Sequence, residues 1–265
     1  MAVAFAIVCG ALFLPASNVA LAQTNQSGSQ PQPQQPEAGI EDNPTRAVFL
    51  SIRNEFRNLR NGAWNNRVIL RKDVLVLKGK PIITRGILLR ADVPVVTTHL
   101  GPETHTGLGD LYGQALYIPY INEKFAFAAG TGVVVPTATH RTVGLGKLQV
   151  APIAAPVWFL PKRRGFFLVR IQDFISIAGS GDRPDIHTSF VNPTLLFVPA
   201  KRWWVPVEIE SRTNWKGRNR TDFRAGAGLG RVVAQKLGVE VRFEVPFGAT
   251  RAGDWTIKAA VIRYK

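Results

Sequence analysis

The sequence predicts an all-β protein, an antiparallel transmembrane β-barrel of about 12 strands, preceded by a signal peptide and a disordered linker. Apolar and polar residues alternate with period two over about a dozen segments, which is typical of strands whose two faces meet different environments. No stretch after residue 22 has the ~18–20 apolar residues that a spanning helix needs. A closed barrel is the other structure that satisfies the backbone inside lipid.

Residues 1–22 are predicted to be a signal peptide. Residues 2–15 are apolar and Ala20-Leu21-Ala22 is an A-x-A site, so cleavage is expected near Ala22–Gln23. No Lys or Arg precedes the apolar run, which leaves open an atypical signal or a start codon placed too late. A membrane anchor is the alternative, although the run is shorter than the ~20 residues of a spanning helix. Cys9, the one cysteine, lies in this segment, so the mature chain would carry no thiol chemistry.

Residues 23–46 are rich in Gln, Pro, Ser and Asn, a composition that cannot bury a core, and they are predicted to be a disordered periplasmic segment. Residues 47–265 are predicted to form the outer-membrane barrel. The first segment of the barrel also fits a helix, because Phe49, Ile52, Phe56 and Leu59 share a helical face. The predicted strands lie near 47–59, 65–77, 84–97, 108–120, 124–136, 146–160, 165–177, 188–199, 202–215, 222–235, 237–247 and 254–264.

The segment at 202–215 shows why these strands are expected to cross a membrane. Its odd positions are apolar and end in Trp203 and Trp215, whereas Glu208, Glu210 and Arg212 share the other face. Twelve residues at ~3.3 Å, tilted by ~40°, span ~30 Å, the height of an apolar band with its aromatic girdles. The aromatic residues expected at the membrane interfaces are Trp158, Trp203, Trp215 and Trp255, with Trp203 on the periplasmic side and Trp215 outside.

The connections are expected to sort by length. Tight turns are predicted at 122–123, 161–164, 200–201 and 235–236, and longer connections at 98–107, 137–145, 178–187, 216–221 and 248–253. With twelve strands and both termini inside, every tight turn falls on the periplasmic side, which is the outer-membrane pattern.

The face opposite the apolar one is predicted to line a lumen. Because burying many charges dry is costly, either water fills this lumen or the charges pair across it. Small inward residues, such as Gly226, Gly228 and Gly230, are expected to leave room along one side, or to be places of close approach. Asp110 is expected to pair with an inward arginine such as Arg90, either as a gate or as a plain structural ion pair. The predicted lumen-lining residues are Arg90, Asp92, Asp110, Lys147, Glu208, Glu210, Arg212, Glu240, Arg242, Glu244 and Lys258, together with Gln114, Gln149 and Arg224.

Several motifs, in order, carry a family resemblance. They are Thr106-Gly107-Leu108-Gly109-Asp110-Leu111, Val135-Pro136-Thr137-Ala138-Thr139, Gly144-Leu145-Gly146-Lys147-Leu148, Ala178-Gly179 with Asp182-Arg183-Pro184-Asp185, Asn214-Trp215, Gly226-Ala227-Gly228-Leu229-Gly230-Arg231 and Trp255-Thr256. Over about residues 84–265 the chain resembles the outer-membrane barrel family named for the MetA pathway of phenol degradation, whose members are described as transporters. The resemblance implies a barrel that admits small hydrophobic or aromatic compounds. The sequence departs from outer-membrane barrels at its end, Tyr264-Lys265, where an aromatic residue is usual.

The sequence favours a passive, porin-like channel in the outer membrane of a Gram-negative bacterium. Its expected partners are the lipid bilayer, lipopolysaccharide, the barrel assembly machinery and a small solute. Alternatives are a structural or interaction barrel closed by ion pairs, a soluble periplasmic β-protein and an outer-membrane lipid hydrolase. No nucleic acid is expected despite the net charge of +15, because no nucleic-acid motif accompanies it.

No enzyme activity, cofactor or metal is expected. His187 and Ser189 share a strand face, but a catalytic triad also needs an orienting group within reach. His99, Glu103, His105 and His140 fit no strong metal template. Gly226-x-Gly228-x-Gly230 lacks the helix that follows a dinucleotide loop.

Overall fold

The computed structural model describes residues 48–76, 86–217, 219–248, 251 and 253–264. The predicted signal peptide and linker therefore lie outside the described residues. Among those described, no helix is long and apolar enough to span a bilayer. The strands are β1 (Val48–Asn58), β2 (Trp64–Val76), β3 (Ile87–His99), β4 (Thr104–Leu108), β5 (Leu111–Ile121), β6 (Phe125–Val135), β7 (Lys147–Phe159), β8 (Gly165–Gly179), β9 (His187–Phe197), β10 (Trp203–Asn214), β11 (Arg220–Ala234), β12 (Leu237–Phe247) and β13 (Trp255–Tyr264).

The strands form one closed antiparallel sheet. Apart from β4 and β5, which do not pair with each other, each strand pairs with its neighbours in sequence, and β1 pairs with both β2 and β13, which closes the barrel. Strands β4 and β5 both pair with β3 and together make one barrel strand, interrupted at Gly109 and Asp110. The barrel thus has twelve strands, as predicted. The first segment is strand β1, which resolves the open choice between helix and strand.

Side chains alternate between a buried inner face and an apolar outer face. On β12, Val239, Val241 and Phe243 are 37%, 57% and 50% exposed, whereas the residues between them are buried. The outer faces of β2, β3, β9, β10 and β13 repeat this pattern with Val, Leu, Ile and Phe. A closed sheet with its backbone paired and its outside apolar is suited to lipid rather than water. The barrel therefore presents a membrane-spanning surface.

Two belts of aromatic residues border this apolar surface. At one end the ring of Trp158 lies 5.5 Å from that of Phe125 and 5.7 Å from that of Phe167. At the other end Phe56 packs between Trp64 and Trp255, at 5.8 and 5.6 Å. Rings in such belts sit at the boundary between acyl chains and headgroups. Of the predicted interface residues, Trp158 and Trp203 lie at the first end, and Trp215 and Trp255 at the second.

The end where β1 begins and β13 ends is called the terminal end, and the opposite end the loop end. The predicted tight turns at 122–123, 161–164, 200–201 and 235–236 all lie at the terminal end. Two connections depart from the predicted sorting by length. The five-residue turn after β1 lies at the loop end, whereas β2 ends and β3 begins at the terminal end with ten residues of sequence between them. The predicted length of the connection at 98–107 is also wrong, because only four residues lie between the end of β3 and the start of β4.

Candidate functional site: the filled lumen and its inserted loop

The lumen is filled by side chains. The structure places ten of the eleven predicted lumen residues on inward strand positions, and nine of these are 1–7% exposed. The tenth, Arg212, has a side chain that is 19% exposed near the loop end. Asp110 lies in the break between β4 and β5. The charges are therefore largely out of contact with water, and they are compensated by one another.

Arg242 on β12 binds one carboxylate on β10 and one on its own strand. It donates from Nη1 to Glu208 on β10 at 2.6 Å and from Nη2 to Glu240 on its own strand at 2.8 Å. The strand between them, β11, has only glycine at its inward positions 226, 228 and 230. Because these glycines carry no side chain, Glu208 of β10 and Arg242 of β12 contact each other across the inner face of β11. The Arg242 side chain is 1% exposed, so this contact is dry.

A second set of ion pairs joins β2 to β3. Arg71 donates from Nε and Nη2 to Asp92, both at 2.7 Å, and Arg90 donates in the same two-bond manner to Asp73 at 2.8 Å. Each pair is directly cross-strand. The expected pairing of Arg90 with Asp110 is therefore wrong. The register places Asp73 opposite Arg90, and a planar guanidinium engages a carboxylate best through two parallel bonds.

The sequence prediction missed the charged inner faces of β1 and β2. Arg53, Glu55 and Arg57 are buried on β1, and Arg53 lies 2.7 Å from Glu55. On β2 the buried Arg67 is within electrostatic range of Arg53 and of Arg212 across the lumen. The same period-two pattern is present here, with Ile52 before Arg53 and Phe56 between Glu55 and Arg57. The competing helical interpretation of 47–59 obscured it.

Apolar side chains fill the terminal end of the lumen. A cluster built from β5 to β10 and β13 crosses the barrel there, and it includes Ile118, Val157, Leu168, Trp204 and Ile262. A second cluster lies nearer the loop end and comprises Tyr112, Val134, Ala151, Phe174 and Phe190. The lumen is thus more apolar at its terminal end and more charged beyond it.

Other side chains pack closely against the small inward residues, as one of the two predictions for them states. The other prediction, that these residues leave free space in the lumen, is wrong. A Cβ added at Gly230 would overlap the Trp204 indole, and one at Gly132 would lie 2.5 Å from the Tyr112 hydroxyl oxygen. Gln172 on β8 donates to that hydroxyl, which donates to Gln114 at 2.7 Å. Large side chains from other strands occupy the space that the glycines leave.

Gly230→Val is expected to lower the unfolding midpoint of the barrel in detergent. The added side chain must displace Trp204, whose Nε1 donates to Glu240 at 2.6 Å. Overpacking costs ~1–3 kcal/mol. The matched control is Gly113→Val, where a Cβ would meet only the Arg90 carbonyl oxygen at 4.0 Å. Equal midpoints for the two variants would contradict this account of β11.

The connection at 136–146 folds from the loop end into the barrel. Val143 and Leu145 are 4% and 9% exposed, and Thr98 donates to Thr142 at 3.1 Å. Asp110 holds this inserted loop by accepting backbone hydrogen bonds from Leu145 at 2.5 Å and Ala138 at 3.2 Å. A carboxylate is well suited to this role because it accepts several bonds without donating any.

The motifs that carried the family resemblance meet at this loop. Thr137 accepts from the Leu111 amide and donates to the Gly109 carbonyl, both at 3.0 Å. Gly144 packs so closely on Asp110 that a Cβ would lie 2.7 Å from its carboxylate oxygen. The residues Gly109-Asp110, Val135-Pro136-Thr137-Ala138-Thr139 and Gly144-Leu145-Gly146 are thus one structural unit.

A neighbouring connection, 180–186, clamps the inserted loop from outside. Arg183 donates to the Arg141 carbonyl at 2.6 Å, and the Arg141 guanidinium lies 3.1 Å from Asp182. Lys147 donates to Asp185 at 3.0 Å, and this bond holds the pKa of the Asp185 carboxyl below its usual value. The Asp182-Arg183-Pro184-Asp185 motif therefore belongs to the same unit.

A cavity of about 20 Å³ lies between the inserted loop and the wall, with room for about one water molecule. The cavity is lined by the charged residues Arg67, Asp92 and Asp110 and by Tyr112 and Val143. The inserted loop therefore leaves little free volume at its tip.

The loop-end histidines form two separate contacts. His105 and His140 stack with ring centroids 3.9 Å apart, and the Glu103 carboxylate lies 3.3 Å from His105. His99 instead stacks on Trp64 at 5.8 Å. Within the described ranges, no group of three or more His, Cys, Asp or Glu residues is arranged to hold a metal ion.

His187 and Ser189 lie on the outer face near the loop end, and the structure adds Asp173 beside them. The Ser189 hydroxyl donates to Asp173 at 2.9 Å and accepts from Trp215 at 2.7 Å, while His187 Nε2 lies 3.0 Å from Asp173. A hydrolytic triad needs the histidine between serine and acid. Here the acid is central, so the arrangement anchors Trp215 rather than activating a nucleophile.

Neither a family model nor a curated protein matches the sequence. Among solved structures, the fold is similar to that of an outer membrane channel from Pseudomonas putida F1, with a TM-score of 0.69, 13% identity and coverage of 86% of this chain and 100% of that one. It is also similar to the NanC porin (TM-score 0.56, 10% identity, 82% and 99% covered) and the KdgM porin (0.53, 10%, 82% and 98%). At such identities the likeness is one of fold: this chain has the closed antiparallel barrel of outer-membrane channels and porins.

Proposed function

We propose that this protein is a passive outer-membrane channel for small molecules, seen here with its lumen closed. The main observation behind this proposal is the contrast between the two surfaces of the barrel. The outer surface is apolar and bordered by aromatic belts, and the inner surface is lined with charged side chains. A structural protein has little need of a charged interior, whereas selectivity by rings of charged side chains is a property of channels. The fold likeness to channels and porins supports the same proposal.

We further propose that the solutes are small and amphipathic, with aromatic compounds favoured. The path would run past ion pairs near Arg242 and then past Trp204 and the apolar cluster at the terminal end. A small ion would lose its hydration against that apolar part, whereas an aromatic solute could pack there. The resemblance to the family named for the MetA pathway of phenol degradation supports this class.

Passage would require movement of the inserted loop at 136–146 and rearrangement of the lumen charges. The alternative function, a structural or interaction barrel closed by ion pairs, is favoured by one observation, the nearly complete burial of Arg242, Glu244 and Gln149. Lipopolysaccharide, the assembly machinery, signal-peptide cleavage and the periplasmic position of the terminal end stay predictions of the same proposal.

Purified protein in a planar bilayer is expected to show discrete conductance steps, and liposomes containing it are expected to swell in small aromatic solutes. Neutralising Glu208, Glu210 and Arg212 together with Glu240, Arg242 and Glu244 should change the ion selectivity of those steps, because this removes the buried charges of three lumen ion pairs, Arg212–Glu210, Arg242–Glu208 and Arg242–Glu240. Protein-free liposomes and denatured protein are the controls. Absence of conductance and of swelling under all voltages would support the closed structural barrel instead.

A further inference from the structure

The outer surface is more basic at the terminal end than at the loop end. Outside the lumen, the described residues of the terminal turns and adjoining strand ends include one acid, Glu123, against eight basic residues. At the loop end acidic and basic residues mix. These eight basic residues with described side chains are Lys124, Lys162, Arg164, Lys201, Arg202, Arg231, Lys236 and Arg263.

Two of these arginines lie on the lipid-facing surface rather than in turns. Arg231 lies on the outward face of β11, and its guanidinium carbon lies 4.9 Å above the ring of Trp203, its cross-strand partner. Arg263 lies on the outward face of β13, opposite Leu237 of β12. Both residues are exposed. A charge on this surface is stable where its long side chain reaches the headgroup layer.

The outer face of strand β12, between the two arginines, is apolar. Leu237 and Val239 are 36% and 37% exposed there, and Val241 above them is 57% exposed. Arg231 and Arg263 are on strands two apart, about 10 Å sideways, which long side chains can span to a common anion. Two guanidinium groups thus flank the apolar outer face of β12, which extends toward the middle of the barrel.

Turn residues frame this surface at fixed positions. The Arg202 carbonyl accepts from the Val232 amide at 2.8 Å, and the Lys236 carbonyl accepts from the Tyr264 amide at 2.9 Å. These bonds hold the backbones of both cationic turns against the strand ends beside Arg231 and Arg263.

We propose that Arg231 and Arg263, with Trp203 and Lys236, form a binding site for the phosphate of an anionic glycerophospholipid, whose acyl chains lie along β12. The charges match a phosphodiester that no ammonium group compensates, and guanidinium forks suit phosphate oxygens. The indole lies at the depth where such a headgroup meets its chains. This inference concerns the lipid-facing surface and does not depend on solute passage.

Native mass spectrometry of the full purified chain tests the proposal, with phosphatidylglycerol, phosphatidylcholine or lipid A added in equal amounts. Phosphatidylglycerol is expected to be retained about tenfold or more over phosphatidylcholine, since each basic residue near a headgroup favours an anionic lipid severalfold. The double variant R231Q/R263Q should lose this preference. The matched control, R220Q/R251Q at the loop end, should keep it.

Folding of each variant is checked by its heat-dependent mobility on gels, and the single variants R231K and R263K provide a second comparison that preserves charge. They should keep part of the preference. Equal retention of the two phospholipids by the wild type, or an unchanged preference in a folded R231Q/R263Q, would overturn the site. Stronger retention of lipid A than of phosphatidylglycerol would overturn the assignment to a glycerophospholipid.

Discussion

Arg242→Met is expected to destabilise the barrel more than any other single change in the lumen. The substitution keeps the volume of the side chain but leaves Glu208 and Glu240, both 6% exposed, without the cation that binds them at 2.6 and 2.8 Å. Removing one partner of a buried ion pair costs about 3–5 kcal/mol, because the remaining charge is buried and uncompensated. The unfolding midpoint in detergent, followed by heat-dependent gel mobility, should fall clearly.

The control for this prediction removes the charges together. The variant E208Q/R242M/E240Q has no uncompensated carboxylate at this place, and glutamine can still accept from Trp204 Nε1. It should recover much of the lost stability, since replacing a whole buried ion pair is often neutral. If the single variant were as stable as the wild type, water would have to reach Arg242, and the lumen would not be dry there.

Asp110→Ala is expected to release the inserted loop at 136–146. The substitution removes the acceptor of the Leu145 and Ala138 amides. Hydrogen bonds to a charged group each contribute about 1.5–3 kcal/mol, so the folded-in position should lose most of its advantage. Trypsin should then cut after the exposed Arg141 in the folded barrel, and single-channel current should rise or become noisier.

Two variants separate loop release from general damage. Asp110→Asn keeps an acceptor oxygen and should show an intermediate cleavage rate. Thr142→Ala removes the hydroxyl that bonds to Thr98 and to His140 but leaves both Asp110 bonds in place, and it should stay near the wild type. Rapid cleavage after Arg141 without any change in current would show that the loop moves but does not close a path.

The strands and their faces could be predicted because period-two alternation is a local property of the chain. Glu240, Arg242 and Glu244 needed only their own segment to be placed inside. Their partners could not be predicted, since Arg242 meets Glu208 only through the register of three strands and the glycines of the middle one. The partner of Arg90 was wrong for the same reason: the opposed residue is Asp73, set by the β2–β3 register.

The inserted loop escaped prediction for a different physical reason. Residues 136–146 resemble an ordinary exposed connection, rich in Thr and Gly, and the acid that holds them is 28 and 35 residues away from the amides it binds. The local sequence carries no sign of such a contact. The motifs quoted for the resemblance marked the right residues without indicating that they meet.

The pairing of β1 with β13 has a consequence for the order in which the barrel assembles. These strands come from opposite ends of the barrel sequence, so their seam closes the largest possible loop and should form after the local hairpins. Glu55 and Lys258 lie directly opposite each other across it, both inward and buried. A slip by one residue would turn Ile257 inward and the lysine toward lipid. In the closed barrel Glu55 lies 2.7 Å from Arg53, and Lys258 is paired with Glu244. Because turning such a charge toward lipid is costly, these inward charges favour the correct register when the seam closes.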